Sequence, residues 1–356
     1  MARMVLNPAP SFWAGKRVLV TGHSGFKGSW LTLWLQKLGA EVVGLSLPPE
    51  SPSLFEAANL GDLCQSHWMD LRDGEATRSL VHQVRPDVVF HLAAQALVRE
   101  SYARPVATWH TNVLGTVHLL ESLRDSGARV CVVATTDKVY RQRESEHAYS
   151  ETDALGGHDP YSASKAACEM VVDSYRLSFL SGLVAVATAR AGNVVGGGDW
   201  ARDRLLPDAI RAWQAGRPVV IRRPAAVRPW QFVLEPLGGY LQLAERLWDR
   251  PALQGAYNFG PPEHLMIPVR DVIVSARDSF GRGDVVFESD DDDCHEAGLL
   301  CLDSSLAVRQ LGYRARWTLP EAIKRAVQWY RQAGAGMAAR ALCESDLSAF
   351  EETGRC

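Results

Sequence analysis

Near its start the chain reads Lys16-Arg17-Val18-Leu19-Val20-Thr21-Gly22-His23-Ser24-Gly25-Phe26-Lys27-Gly28. A short apolar run is followed by three glycines spaced three residues apart, and an apolar helical pattern begins at once with Ser29. This order predicts a strand, a tight turn and a helix whose N-terminus binds the pyrophosphate of a dinucleotide. Gly22 would permit the turn, Gly25 the approach of phosphate and Gly28 close helix packing. Taken alone, the pattern also fits an ordinary glycine-rich loop.

Composition excludes several classes of function. The chain has 356 residues, of which 47% are hydrophobic and 22% are charged, as in globular proteins. Its net charge of -3 offers no basic field for nucleic acid or an anionic membrane. No apolar run approaches the roughly 20 residues that span a bilayer, and the first sixteen residues do not resemble a signal peptide. We expect a cytoplasmic protein without nucleic-acid or membrane partners.

Cysteine and aspartate patterns give no sign of a disulfide framework or a metal site. The four aspartates at 290–293 lack the spacing of a calcium loop and are predicted to form a solvated loop. An odd number of cysteines without a Cys-x-x-Cys pair predicts reduced thiols, several of them buried. The cysteines are Cys64, Cys131, Cys168, Cys294, Cys301, Cys343 and Cys356.

Strand and helix patterns alternate along the first half of the chain. Strands are predicted near 17–21, 41–47, 87–92, 129–135 and 183–190. This alternation predicts an α/β fold with a doubly wound parallel sheet of the Rossmann type, covered by helices on both faces. We predict a dinucleotide-binding domain over 1–192. A smaller, mainly substrate-binding domain is predicted over 193–356, with some segments returning to the sheet.

The segment Tyr161-Ser162-Ala163-Ser164-Lys165 places a phenol and an ammonium on one face of a helix. A nearby cation favours phenolate, so Lys165 is expected to draw the pKa of Tyr161 from about 10 toward neutrality. Tyr161 could then accept the proton of a substrate hydroxyl while a hydride leaves the same carbon. Tyr-x-x-x-Lys also occurs by chance on solvated helices, but its position after a dinucleotide signature favours catalysis.

Five motifs together resemble one superfamily. They are Gly22-x-x-Gly25-x-x-Gly28, Asp70-Leu71, His91-Leu92-Ala93-Ala94, Asn112 and Tyr161-x-x-x-Lys165. In these motifs the chain is similar to the extended short-chain dehydrogenases/reductases, which include sugar-nucleotide epimerases and 4,6-dehydratases. The resemblance covers about residues 16–330. Longer strings at 21–30, 155–161, 190–200 and 228–231 resemble the 4,6-dehydratase branch that acts on CDP-glucose.

The resemblance implies NAD as the cofactor, bound with modest affinity. The second strand ends near Ser46 without the acidic residue that accepts ribose hydroxyls, and no arginine follows to bind a 2′-phosphate. Sequence chemistry alone therefore leaves NAD and NADP open. Asp70 resembles a residue beside adenine, although it could be a turn residue, and Asn112 is expected to order the network around the catalytic lysine. The predicted cofactor residues are Gly22, His23, Ser24, Gly25, Phe26, Lys27, Gly28, Ser46, Asp70, Leu71, Leu92, Ala93, Ala94, Asn112, Tyr161 and Lys165.

The resemblance also implies catalytic roles at the end of the fourth predicted strand. In most 4,6-dehydratases this position reads Thr-Asp-Glu, whereas here it reads Thr136-Asp137-Lys138. Thr136 would hydrogen-bond the 4-hydroxyl, and Asp137 would protonate the departing 6-hydroxyl. Tyr161 with Lys165 would be the base for the 4-hydroxyl. Lys138 is either the carbon-5 base or an enolate stabiliser, and a surface ion pair of Asp137 with Lys138 is the non-catalytic alternative.

A nucleotide-sugar substrate requires cations and hydrogen-bond donors. The resemblance implies that Arg228 binds the pyrophosphate, for which the planar guanidinium is suited, and that Asn193 lies near the same phosphates. Gln95, Arg202 and Arg204 are further candidates for substrate binding.

Two other functions remain open from the sequence. A nucleotide-sugar 4-epimerase would use the same Tyr161, Lys165 and NAD but needs no acid for a leaving hydroxyl. A protein that senses NAD(H) without turnover is the alternative from another class. In each case the resemblance implies a homodimer, paired through helices near 105–125 and 161–180.

Overall fold

A parallel sheet of seven strands forms the centre of the computed structural model, which describes residues 7–143, 147–261, 267–288 and 299–354. Its strands β1 to β7 are Arg17–Thr21, Glu41–Ser46, Gln65–Trp68, Val88–His91, Val130–Ala134, Ala185–Ala191 and Gly255–Phe259. Their spatial order is β7-β6-β5-β4-β1-β2-β3, with every neighbouring pair parallel. The order of the strands reverses between β1 and β4, which confirms the predicted doubly wound Rossmann-type class.

All five predicted strands are present, but the prediction missed β3 and β7. Both lie at the edges of the sheet, where only one neighbouring strand covers the backbone. β3 reads Gln-Ser-His-Trp and has no residue buried, so it lacks the apolar run typical of a central strand. β7 pairs with β6 although it lies far along the chain, beyond residue 192. The division into two domains at residue 192 stays a prediction.

Helices cover both faces of the sheet. In chain order, α1 to α14 are Pro10–Trp13, Phe26–Lys37, Leu54–Ala57, Gly74–Val84, Val98–Ala103, Pro105–Trp109, Gly115–Leu123, Pro160–Ser178, Leu205–Gln214, Leu234–Asp249, Val269–Phe280, Ser305–Leu311, Leu319–Gly334 and Ala339–Thr353. The 3-10 turns are Leu60–Asp62, Asp137–Val139 and Pro251–Leu253. A short π-helix, His110–Leu114, which we call the π-turn, joins α6 to α7. Short strands pair as Val227–Arg228 with Ile267–Pro268, Gln231–Phe232 with Val194–Val195, Val285–Phe287 with Val219–Ile221, and Cys301–Leu302 with Ala148–Tyr149.

Alternate residues of the central strands enter two separate cores. Val18 and Val20 of β1 pack in the larger core with α2, α10, α13 and α14. Leu19 points to the other face and packs with α4, α7 and α8. Successive side chains of a strand point to opposite faces, so a strand covered on both sides must be apolar throughout. This arrangement brings α2 and α8 to the same edge of the sheet, where the strands end.

Within the described residues, no helix is long and apolar enough to cross a membrane. Cys131, Cys168, Cys301 and Cys343 are buried and form no disulfide among the described residues, as predicted, and Cys64 is half-buried. Cys294, Cys356 and the aspartates at 290–293 lie outside the described residues.

Candidate active site

The turn between β1 and α2 has the geometry required of a dinucleotide turn. Gly22 has φ +73°, and a Cβ there would lie 2.7 Å from the backbone nitrogen of Ala93. A Cβ on Gly28 would lie 2.0 Å from the carbonyl oxygen of Gly22. Gly25 precedes α2, and no side chain caps this helix end. The first N–H groups of α2, which begins at Phe26, therefore remain available to an anion.

His23 lies behind this turn and supports it. Its buried ring stacks on Trp68 with 5.2 Å between ring centroids. Its two nitrogens lie 3.1 Å from Ser46 Oγ and 3.0 Å from Ser66 Oγ. Burial lowers the pKa of His23 to about 4, so the ring is neutral near pH 7. Ser46, whose hydroxyl also lies 2.7 Å from that of Ser24, is thus fixed where an acidic residue was missing from the sequence.

Asp70 is held by an arginine that the sequence analysis did not consider. Arg72 donates to both carboxylate oxygens of Asp70 from its side chain and to one from its backbone nitrogen. The side-chain hydrogen bond from Arg72 is the main cause that lowers the pKa of Asp70. Leu71 is buried beneath Gly115, whose Cβ would lie 3.0 Å from the leucine side chain. Asp70 therefore stays an anion with a fixed orientation.

Asn112 joins the loop after β4 to the helix that carries the Tyr-Lys pair. Its Oδ1 accepts from the backbone nitrogen of Gln95 at 2.8 Å, and its Nδ2 donates to Gln95 O at 3.0 Å and to Ser164 Oγ at 2.8 Å. The π-turn places this buried side chain between the two elements. Leu92, Ala93 and Ala94 lie half-buried in the same loop. The side chain of Gln95, a predicted substrate residue, bonds to the backbone of Leu97 and to Thr108.

Tyr161 and Lys165 lie in the first turns of α8, which begins with Asp159 as its N-cap. Lys165 Nζ donates to the carbonyl oxygen of Ala134, the last residue of β5, at 3.0 Å. Both side chains are buried. This contact fixes the ammonium group beside the end of the strand that leads into Thr136.

The sequence predicts that Lys165 lowers the pKa of Tyr161, but in the structure this pKa is raised. Burial raises the pKa of Tyr161 to about 12, although a hydrogen bond with Thr136 and the charge of Arg204 oppose this effect. Burial also lowers the pKa of Lys165, which weakens the cation that should favour phenolate. The sequence analysis counted the neighbouring charge and omitted the larger cost of desolvation.

Asp137 and Lys138 begin the 3-10 turn Asp137–Val139, which follows shortly after β5, and Thr136 is its N-cap. Only 1% of the Asp137 surface is exposed, and its Oδ2 has no hydrogen-bond partner. Its Oδ1 accepts from Thr136 Oγ1 at 3.0 Å and lies 3.8 Å from Lys138 Nζ. A surface ion pair does not describe this arrangement, because the carboxylate is buried. A buried oxygen without a partner is typical of a site that a ligand completes.

The structure brings two of the other predicted substrate residues to this site. A Cβ on Gly192, the neighbour of Asn193, would lie 3.2 Å from Asp137 Oδ2. The Oδ1 of Asn193 is buried without a partner. Arg204 donates to Asp199 at 2.9 Å, and its charge lowers the pKa of Tyr161.

The two remaining substrate candidates differ in burial. Arg228 is buried and donates to the carbonyl oxygen of Val227 at 2.9 Å. Arg202 is exposed.

Lys27 adds a further positive charge. It lies in the first turn of α2, and its Nζ is 3.3 Å from the hydroxyl of Tyr240. Burial is the main cause that lowers the pKa of Lys27 to about 7, and the charges of Arg204 and Lys165 lower it further. The cofactor signature and the Tyr-Lys pair therefore meet at this side chain.

Sequence analysis missed Glu169 and Arg190, a buried ion pair beneath the site. One signal could have found Glu169, because it lies four residues after Lys165 and eight after Tyr161 and so shares their face of α8.

The fold and the paired Tyr161 and Lys165 are those of a nicotinamide-dependent enzyme of the short-chain dehydrogenase type. Residues 18–260 match the NAD dependent epimerase/dehydratase family, and the chain belongs to this family. NAD is the cofactor of the family, as predicted. The uncapped start of α2, the tight turn at Gly22 and the ordered Ser46 fit such a dinucleotide.

Curated relatives refine the comparison. The chain is 46% identical over 330 residues to the CDP-glucose 4,6-dehydratase of Salmonella typhimurium, covering 90% of this chain and 92% of the relative. It is 27% identical over 332 residues to a dTDP-glucose 4,6-dehydratase of Xanthomonas campestris pv. campestris, covering 88% and 92%. The Thermus thermophilus UDP-glucose 4-epimerase in complex with NAD superposes with a TM-score of 0.76 at 27% identity, covering 88% of this chain and 99% of that one.

We predict that Lys27→Met strengthens the binding of NAD⁺ relative to NADH. Lys27 lies among the cations of Lys165 and Arg204, and the nicotinamide ring is positive only in NAD⁺. At about pH 6 the ratio of the NAD⁺ to the NADH dissociation constant should fall about 10-fold, or about 1.4 kcal/mol. Isothermal titration calorimetry measures both constants.

The pH dependence supplies a second readout. The pKa of Lys27 is about 7, so its ammonium loses its proton through the neutral range. The wild-type ratio should therefore fall as the pH rises from about 6 to about 8, while that of Lys27→Met stays constant. Lys37→Met, in the last turn of the same helix, is the matched control. Equal ratios in wild type and Lys27→Met at about pH 6 would contradict the prediction that the Lys27 ammonium acts on the nicotinamide.

Proposed function

We propose that this chain is a CDP-glucose 4,6-dehydratase, which converts CDP-glucose to CDP-4-keto-6-deoxyglucose and water. The observation that carries the proposal is the buried carboxylate oxygen of Asp137, which has no hydrogen-bond partner. Asp137 lies in the turn beside Tyr161. A 4-epimerase requires no acid at this position. The 46% identity to a CDP-glucose 4,6-dehydratase supports the same choice. We also propose a cytoplasmic location, where nucleotide sugars and NAD are available together.

Oxidation at carbon 4 prepares the sugar for loss of water, because a ketone acidifies the proton on carbon 5. Bound NAD would accept the hydride from carbon 4 and return it to carbon 6, so it is regenerated in each turnover. Tyr161 would take the proton of the 4-hydroxyl, with Thr136 hydrogen-bonded to the same oxygen. Since burial raises the pKa of Tyr161 to about 12, the cations of Lys165 and Arg204 must offset desolvation when substrate binds.

Elimination requires one proton to leave carbon 5 and another to reach the departing 6-hydroxyl. Lys138 would take the first proton as an amine and would return it to carbon 5 when the hydride reaches carbon 6. Asp137, protonated at the unpartnered Oδ2, would give the second proton and release water. Lys138 Nζ lies 3.8 Å from Asp137 Oδ1 on the same short turn, which supports these two roles. Both can therefore serve the same carbon–carbon bond.

The nucleotide would be bound by residues of the second half of the chain. Arg228 would pair with the diphosphate, and the unpartnered Oδ1 of Asn193 would accept a hydrogen bond from the substrate. Arg204 would contact the sugar near Tyr161, while Arg202 and Gln95 would lie at the periphery of the site.

Incubation of the purified protein with NAD and a panel of CDP-, dTDP-, UDP- and GDP-sugars tests the proposal directly. We expect mass spectrometry to show loss of one water from CDP-glucose alone. Isomerisation without a mass change would establish the 4-epimerase instead. Binding of NADH without turnover of any nucleotide sugar would establish the sensor.

We predict that Tyr161→Phe and Asp137→Asn stop the reaction at different stages. Tyr161→Phe should abolish the absorbance of reduced nicotinamide, because among the described residues Tyr161 is the group proposed to take the first proton. Asp137→Asn should still oxidise carbon 4, so reduced nicotinamide should accumulate in stopped-flow absorbance while dehydration slows roughly 10²- to 10⁴-fold. Dehydration by Asp137→Asn at the wild-type rate would remove the acid assignment.

We also propose that the chain forms a homodimer through α6, α7 and α8. Val106 and Trp109 of α6 and Leu114 of the following π-turn expose apolar side chains, as do Met170 and Leu177 of α8. The helices α6 and α8 pack against each other, so apolar side chains are exposed on two neighbouring helices. Exposed surfaces of this kind mark contacts between proteins.

A charge on this surface should separate the dimer. We predict that Met170→Glu combined with Leu177→Glu gives the mass of one chain in light scattering, whereas the wild type gives twice that mass. Leu183→Glu, an equally exposed leucine beyond the end of α8, is the control and should leave the mass unchanged. A wild-type protein that is a monomer at micromolar concentration would contradict the proposal.

A further inference from the structure

Glu169 and Arg190 form a buried ion pair at the edge of the sheet that carries the site. Arg190 Nη2 lies 2.8 Å from Glu169 Oε2, and the two side chains are 4% and 3% exposed. Glu169 belongs to α8 and Arg190 to β6. Removing two charges from water is costly, and a buried pair is seldom more stabilising than apolar residues of the same size. A role in fixing geometry is therefore the more informative explanation.

The pair binds both ends of the turn that carries Asp137 and Lys138. Before the turn, Thr135 Oγ1 donates to Glu169 Oε1 at 2.5 Å. After the turn, Arg190 Nη1 donates to the hydroxyl of Tyr140 at 2.9 Å. No residue of the turn between them, from Thr136 to Val139, has a side-chain bond to the pair among the described contacts. The ion pair thus holds the flanks of the turn and leaves its acid and base unoccupied.

Further hydrogen bonds fix the ion pair and Tyr140 to the central sheet. Glu169 Oε2 also accepts from Thr188 Oγ1 of β6 at 2.7 Å. The hydroxyl of Tyr140 donates to Asn258 Oδ1 of β7 at 2.6 Å. The turn is therefore fixed to α8 on one side and to the edge of the sheet on the other. A buried polar network of this kind favours one arrangement, although Arg190 Nε has no hydrogen-bond partner of its own.

Tyr161 and Lys165 are held by contacts of their own. Lys165 is fixed to Ala134 O, and the start of α8 is fixed by its Asp159 cap. Loss of the ion pair would therefore displace the turn more than it displaces the base for the 4-hydroxyl. The position of the turn with Asp137 and Lys138 therefore depends more on the ion pair than the position of Tyr161 does.

We propose that Glu169 and Arg190 are positioning residues that hold Asp137 and Lys138 at the distance from Tyr161 which elimination requires. The inference rests on the proposed dehydratase function. Displacement of a reacting group by about 1 Å can cost about 10²-fold in rate. Loss of the ion pair should therefore slow elimination more than oxidation at carbon 4, although the charge of Glu169 also opposes the lowering of the Lys165 pKa by burial.

Glu169→Gln tests the proposal, because it keeps the size of the side chain and removes its charge. We expect dehydration of CDP-glucose to slow by about 10- to 100-fold and the formation of reduced nicotinamide to slow by a clearly smaller factor. Stopped-flow absorbance measures the reduced nicotinamide, and mass spectrometry of quenched samples measures dehydration. Calorimetric titration of substrate and thermal unfolding show whether binding and folding are retained.

If Glu169→Gln does not fold, two milder variants can still compare the effects on elimination and on oxidation. Thr135→Val and Tyr140→Phe each remove one hydroxyl that ties the turn to the pair, and each should slow elimination more than oxidation. Glu245→Gln is the matched control, since this half-buried carboxylate on α10 only binds Ala9 N and Trp13 Nε1 among the described contacts. It should lower stability without changing the ratio of the two steps.

The outcomes separate this inference from the proposed function. Equal slowing of both steps in the folded variants, or no slowing of either, would overturn the positioning role. A wild-type protein that dehydrates no nucleotide sugar would instead overturn the proposed function.

Discussion

The close approach of three backbone segments at Gly22 is the constraint on which the rest of the site depends. Gly22 N donates to Leu45 O of β2, its positive φ turns the chain toward α2, and its α-carbon lies against the backbone of Ala93. No side chain fits at this position. Since β1, β2 and β4 meet here, the turn sets the direction of α2 and the position of the loop after β4. Asn112 then transfers that position to α8 through Ser164.

Desolvation is the dominant electrostatic effect in the site. It raises the pKa of Tyr161 and lowers that of Lys165 and of Lys27. Each shift favours the neutral form of the group, as expected where water is excluded. The same exclusion strengthens every interaction with a charge that develops during the reaction. At neutral pH burial thus keeps Tyr161 protonated, whereas Lys27, with a pKa of about 7, lies near the balance between its charged and neutral forms.

Local sequence signals predicted the fold better than they predicted the electrostatics. Apolar runs identified β1, β2, β4, β5 and β6 because these strands are covered on both faces. The edge strands β3 and β7 lack such runs, and the pairing of β7 depends on contacts distant in sequence. Motif spacing placed Tyr161 and Lys165 correctly on one helix face, since four residues make one helical turn. The pKa of Tyr161 could not be read from spacing, because burial is a property of the assembled fold.

The supports of the catalytic helix α8 come from two sides and differ in chemistry. On one side, the neutral amide of Asn112 bonds to Ser164 and to the loop that follows β4. On the other side, the charged Glu169 bonds to Thr135, Thr188 and Arg190. An ion pair resists displacement more, because separating its charges inside the protein is costly. The stiffer support therefore lies beneath Asp137 and Lys138, the proposed acid and base.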